Sequence, residues 1–154
     1  MATIQIGNPA PDFNLPSQTG QQVSLGAYRG KNVVVLFFYP KDGTAICTKE
    51  ACSFRDAYED FAQAGAVVIG VSSDSAESHR NFANGHHLPF ILLADEDGSL
   101  RKSFGVPKTL GFLPGRVTYV IGKEGIVRHV FNSQLSADRH VAEALAVVRQ
   151  LAES

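Results

Sequence analysis

The chain has 154 residues, of which 44% are hydrophobic and 19% charged, and its formal net charge is -1. That length suits one domain, residues 1–154, with a core of its own and no need of disulfide staples. The near-neutral balance, without a basic or acidic block, argues against a nucleic-acid partner. The longest apolar run, Val33 to Tyr39, is too short to cross a bilayer, so no membrane association is expected. The opening MATIQIGNPAPDF has neither a charged n-region nor an apolar h-region, so a cytoplasmic protein is expected. In that setting the two cysteines point to redox or metal chemistry rather than to a structural framework.

Phe13 and Leu15 alternate with polar neighbours up to Pro16 and predict a short edge strand. A turn over Ser17 to Gln21 leads to a second short strand at Val23 and Leu25, and the two make an N-terminal β-hairpin. After a turn at Arg29 to Asn32, the run Val33 to Tyr39 fits a strand buried on both faces. One helix is predicted from Thr44, as N-cap, to a stop at Gly65, with Ala51, Phe54, Tyr58 and Phe61 on its apolar face. Ala66 to Val71 is a second buried strand. Ser72 to Ser75 opens a helix of about ten residues ending near Gly85.

Pro89 to Leu93 predicts a third parallel strand, Asp95 to Gly98 a turn, and Leu100 to Phe104 a short helix. Gly105 to Gly115 reads as a loop. Arg116 to Ile121 and Ile126 to Phe131 form a hairpin about Gly122 to Gly125. Val141, Ala144, Leu145, Val148 and Leu151 stripe a last helix over Asp138 to Ala152. Strands and helices in that order predict an α/β fold, a mixed central sheet between helical layers.

The chemistry concentrates at Pro40-x-x-x-Thr44-x-x-Cys47, with Cys52 five residues on. A thiol at a helix N-terminus is biased toward the thiolate, the form that attacks. To cleave a peroxide O–O bond, a thiolate needs donors for the departing oxygen. Thr44 and the backbone N–H groups around Ile46 and Cys47 can supply them. Pro40 lacks an N–H and stiffens the turn. A guanidinium, always charged, would complete such a site. The product would be a sulfenic acid, which a second thiol can capture as a disulfide.

The segment PKDGTAICTKEACSFRD resembles the active-site segment of the peroxiredoxins, above all the PrxQ or bacterioferritin-comigratory subfamily. The resemblance runs from Ala10-Pro11-Asp12-Phe13 to Gly115-Arg116-Val117-Thr118-Tyr119-Val120-Ile121. It implies a thioredoxin-like fold and a catalytic triplet of Pro40, Thr44 and Cys47. It further implies that Arg116 lies beside the sulfur and that Cys52 is the resolving thiol. The activity it implies is reduction of hydrogen peroxide and organic hydroperoxides without a cofactor, with thioredoxin or a similar dithiol protein as reductant. Because both thiols are in one chain, a monomer is expected. The subfamily's usual Pro-Gly after the threonine is replaced here by Ala45-Ile46.

Two rival functions stand beside this one. A protein dithiol–disulfide oxidoreductase usually carries Cys-x-x-Cys, which the spacing of Cys47 and Cys52 does not match. A thioredoxin-like binding or holdase domain would leave the thiols inert. His86-His87 lacks a third metal ligand at suitable spacing, and Asp95-Glu96-Asp97-Gly98 is too short for a calcium loop.

Overall fold

The computed structural model describes residues 4–106, 115–133 and 136–153. Most of the predicted Gly105 to Gly115 loop lies outside these residues. Strands β1 (Asn14–Pro16) and β2 (Gln22–Ser24) pair antiparallel as a separate hairpin. Leu25, predicted to extend the second strand, instead begins a 3-10 turn over Leu25–Tyr28, where its side chain is buried.

The main sheet contains β3 (Val33–Phe38), β4 (Ala66–Ser72), β5 (Ile91–Ala94), β6 (Val117–Ile121) and β7 (Val127–Asn132), in the order β5-β4-β3-β6-β7. β3, β4 and β5 are parallel, whereas β6 runs antiparallel to β3 and β7 antiparallel to β6. Every residue of β3 is buried, as its unbroken apolar run requires. Its register with β6 places Phe38 opposite Val117. The chain leaving β3 therefore passes beside the chain entering β6. This pairing carries Arg116 to the neighbourhood of Pro40.

The helices are α1 (Ala45–Asp56), α2 (Tyr58–Gln63), α3 (Ala76–His86), α4 (Ser99–Phe104) and α5 (Ala137–Glu153). The single helix predicted from Thr44 to Gly65 is thus divided at Ala57, whose backbone lies at φ -95, ψ 3. Alanine is a strong helix former, so nothing in the side-chain pattern marks the bend. Ser75 caps α3 by accepting from the Ser78 N–H at 3.1 Å. His86 ends α3, and His87 adopts the left-handed conformation at φ 54.

The two faces of β3 bury different cores. Val33, Val35 and Phe37 pack with α1, α2, α3 and α5, while Val34, Leu36 and Phe38 pack with α4 and the N-terminal segment. Phe37 stacks on Phe54 of α1 with centroids 4.5 Å apart. The stack needs Gly70 beneath it, since a Cβ there would come within 2.8 Å of both Phe37 and Leu92. Truncating such a buried phenylalanine to alanine typically costs about 3–5 kcal/mol. This packing fixes α1, and with it Cys47, against the end of β3.

Candidate active site

Cys47 lies in the first turn of α1. The first bond of the helical ladder runs from the Thr48 N–H to the Thr44 carbonyl, leaving the N–H groups of residues 45–47 at the helix's positive end. The loop entering this helix turns at Gly43, whose φ of 80° a residue with a Cβ adopts only under strain. Cys47 itself is 1% exposed, and both cysteines are free thiols.

Arg116 sits immediately before β6 and donates from Nη2 to Cys47 Sγ at 3.2 Å. Its Nη1 donates to Glu50 Oε1 at 2.7 Å. Burial alone would lower the Arg116 pKa, but Glu50 and Cys47 outweigh it and the pKa is raised. Glu50, one turn after Cys47, is fully buried. Burial pushes its pKa up to about 7 against the opposing pull of Arg116. His140 of α5 closes this side, with Nδ1 3.5 Å from Glu50 Oε2.

The predicted residues are placed as follows. Pro40 is half-buried after β3, and Thr44 is exposed at the start of α1. Thr44 stands at the N-cap position, but its hydroxyl does not cap the helix. It donates instead to the Lys41 carbonyl at 2.9 Å, because the loop folds that carbonyl back beneath it. Cys52 is partly buried on the same helix as Cys47. The Ala45-Ile46 pair opens the helix, with Ala45 exposed and Ile46 half-buried.

Several residues that sequence reasoning missed complete the surroundings. Arg101 of α4 donates to the Tyr39 carbonyl at 3.1 Å and to the Gly115 carbonyl at 3.0 Å, clipping together the two segments that carry Pro40 and Arg116. Cys47 is also among the groups whose charge acts on Arg101. Buried Asp95 accepts from the N–H groups of Leu100 and Arg101, holding the start of α4 in place. Asp42 is locked on the other side of the loop. It accepts from the Tyr39 and Ser78 hydroxyls, lies 2.7 Å from His79 Nδ1, and donates its N–H to Asp74 at 2.8 Å.

Asp42, Asp74 and His79 are close enough together to be considered as metal ligands. Each is already engaged, however: Asp74 accepts from Ser72 as well as from Asp42, and His79 Nε2 lies 2.9 Å from the Leu93 carbonyl. The group reads as the hydrogen-bonded anchor of the Lys41–Gly43 turn. The buried polar residues did leave a signal in the sequence. Glu50 falls on the same helical face as Cys47 and Phe54, and His140 falls in register with Ala144 and Val148. A charged or titratable residue within an apolar stripe marks a buried polar site.

The sheet order and the helices around it are those of the thioredoxin-like fold as peroxiredoxins have it. The AhpC/TSA family model matches residues 6–130. Peroxiredoxin Q, chloroplastic, of Sedum lineare is 50% identical over 151 residues, covering 97% of this chain and 81% of that one. Its namesake in Arabidopsis thaliana is 50% identical over 149 residues, covering 96% and 68% respectively. Among solved structures, peroxidoxin BcpB of Mycobacterium tuberculosis superposes with a TM-score of 0.89 at 38% identity, covering 96% of this chain and 98% of that one. Bacterioferritin comigratory protein of Xanthomonas campestris, studied for its alkyl peroxide reduction activity, gives 0.85 at 30% identity and 99% coverage of each chain.

The chain belongs to the AhpC/TSA family. Within that family it is of the peroxiredoxin Q, or bacterioferritin-comigratory, kind, and it is an oxidoreductase acting as a thiol peroxidase. Among the described residues, no helix is long and apolar enough to cross a membrane.

Proposed function

We propose that Cys47 is the thiol that reacts with peroxide and Cys52 the thiol that resolves the product. The observation that carries this reading is the 3.2 Å contact of Arg116 Nη2 with Cys47 Sγ at a helix N-terminus. A fixed positive charge and the helix end both favour the thiolate. Hydrogen peroxide and organic hydroperoxides are the substrates. In this reading they approach from the side of Pro40, Thr44 and Ile46, of which Thr44 is exposed and the other two half-buried.

The thiolate attacks one peroxide oxygen. An S–O bond forms, the O–O bond breaks, and the departing oxygen leaves as an alkoxide or hydroxide that takes up a proton. Arg116 and the N–H groups at the start of α1 stabilise the charge that develops there. Cys47 is then a sulfenic acid. The Cys52 thiolate attacks its sulfur, hydroxide leaves as water, and a Cys47–Cys52 disulfide results. Thioredoxin or a similar dithiol supplies two electrons and restores both thiols.

The whole chain acts as one domain, and as a monomer, since no thiol from a second chain is needed. Its compartment in our reading is the cytoplasm; the plant relatives are named chloroplastic. The test of function is peroxide consumption with and without thioredoxin. Loss of both thiols to one equivalent of peroxide, as the disulfide forms, followed by thioredoxin-dependent turnover, is expected. Failure to consume peroxide would leave only a binding role.

A further inference from the structure

His140 is fully buried, yet it takes no part in the steps above. Its hydrogen bonds determine which nitrogen carries the proton. Nε2 lies 2.7 Å from the Ser133 carbonyl, which can only accept, so Nε2 is the N–H. Burial, with Arg116 acting in the same direction against the Ser133 carbonyl, lowers the His140 pKa to about 4, so the ring is neutral near neutral pH. Nδ1 is then a lone pair, and the Thr118 hydroxyl donates to it at 2.7 Å.

Glu50 Oε2 faces this same nitrogen at 3.5 Å and is buried without a hydrogen-bond partner. The two oxygens of Glu50 therefore have opposite surroundings. Oε1 receives Arg116, while Oε2 meets an acceptor. An ionised carboxylate is poorly served by that arrangement, whereas a protonated one could donate to Nδ1 in place of the Thr118 hydroxyl. The charged or titratable groups facing Glu50 among the described residues are Arg116 ahead of β6, His140 on α5 and, on its own helix, Cys47 through Arg116.

We propose that His140 is a positioning residue for the thiol site. By offering Glu50 Oε2 no hydrogen-bond donor, it favours the protonated form of that carboxyl. A protonated Glu50 leaves the Arg116 charge to the Cys47 sulfur, while an ionised Glu50 competes for it. His140 thus acts on Cys47 through Glu50 and Arg116 without touching the sulfur. The inference rests on Cys47 being the peroxide-reacting thiol.

The test combines infrared titration of the reduced protein with the pH profile of Cys47 oxidation by hydrogen peroxide. The infrared arm needs no peroxide, so its failure is distinct from a failure of the thiol assignment. A protonated-carboxyl band, absent in Glu50→Gln, should vanish with rising pH at a midpoint near 7. The rate profile should inflect at the same midpoint. His140→Asn sets an amide NH2 where Nδ1 stands and so turns a donor toward Glu50. It should lower both midpoints by about one unit or more, since donation to the charged form favours it.

Thr118→Val guards against misfolding of the first variant. It frees Nδ1 to accept from Glu50, so both midpoints should rise. An infrared midpoint that neither variant moves, or the absence of the band, would overturn the proposal. A moved infrared midpoint with an unmoved rate profile would overturn it too, because Glu50 would then not act on Cys47.

Discussion

Arg116 reaches two partners at once, Cys47 Sγ at 3.2 Å and Glu50 Oε1 at 2.7 Å. One guanidinium is thus shared between the thiol and a buried acid. Arg116→Ala removes the donor to the developing oxyanion, an effect worth roughly 3 kcal/mol or about 100-fold in rate. It also strands Glu50 without its cation. Stopped-flow oxidation of the reduced variant should be slower by an order of magnitude or more. An unchanged second-order rate constant would remove Arg116 from the site.

That contact also shows where sequence reasoning reaches its limit. The β3 run is a local pattern, and the structure follows it closely. Arg116 is distant in the chain from Cys47, and no periodicity links the two. Its place was legible only through the family resemblance; the β3–β6 register supplies the physical reason. Glu50 and His140 were legible in principle as polar residues within apolar stripes, but which partners they meet depends on how α1 packs against α5. The bend at Ala57 leaves no side-chain signal at all. The hydroxyl of Thr44, an ordinary N-cap in pattern, is diverted to Lys41 by the shape of the loop.

Cys52→Ser should react once with peroxide and then turn over poorly with thioredoxin. No other cysteine in the chain can capture the sulfenic acid. Excess peroxide should therefore carry Cys47 on to sulfinic acid. Intact-protein mass spectrometry follows this as successive additions of oxygen. A Cys47 left unoxidised after peroxide treatment would contradict it.

Formation of the disulfide requires α1 to open. Cys47 and Cys52 share one helix, and five residues of helix separate their Cα atoms by about 8.6 Å on different faces. A disulfide needs Cα atoms within about 7 Å. The opening must release Lys49 and Ser53 from Asp138 of α5, contacts of 3.8 and 3.3 Å on the exposed side of the helix. Phe54 and Phe61, fully buried, hold the later turns. Hydrogen exchange should lose protection over about 45–53 in the disulfide form, with the rest of the domain unchanged. Equal protection in both forms, with the bond verified, would refute this.

Glu50 and His140 should give the reduced protein opposite pH limbs of stability. Folding moves Glu50 from 4.5 to about 7, so the folded state holds the extra proton between those values. Its contribution is full below 4.5 and is lost as pH rises through about 7. His140 moves from 6.5 to about 4, so the unfolded chain holds the extra proton between them. Its contribution is full above 6.5 and is lost as pH falls through about 4. Urea unfolding across pH should therefore show less alkaline loss in Glu50→Gln and less acid loss in His140→Gln. Curves parallel to the wild type would show that neither group is linked to folding.

The assignment of Cys47 as the reacting thiol is tested most directly by Cys47→Ser. The measurement is thioredoxin-dependent peroxide turnover, made beside mass spectrometry of the wild-type protein after one equivalent of hydrogen peroxide. The variant should show no turnover, and the wild type should carry a Cys47–Cys52 disulfide. Appreciable turnover by Cys47→Ser, or oxidation of the wild type confined to Cys52, would contradict the mechanism.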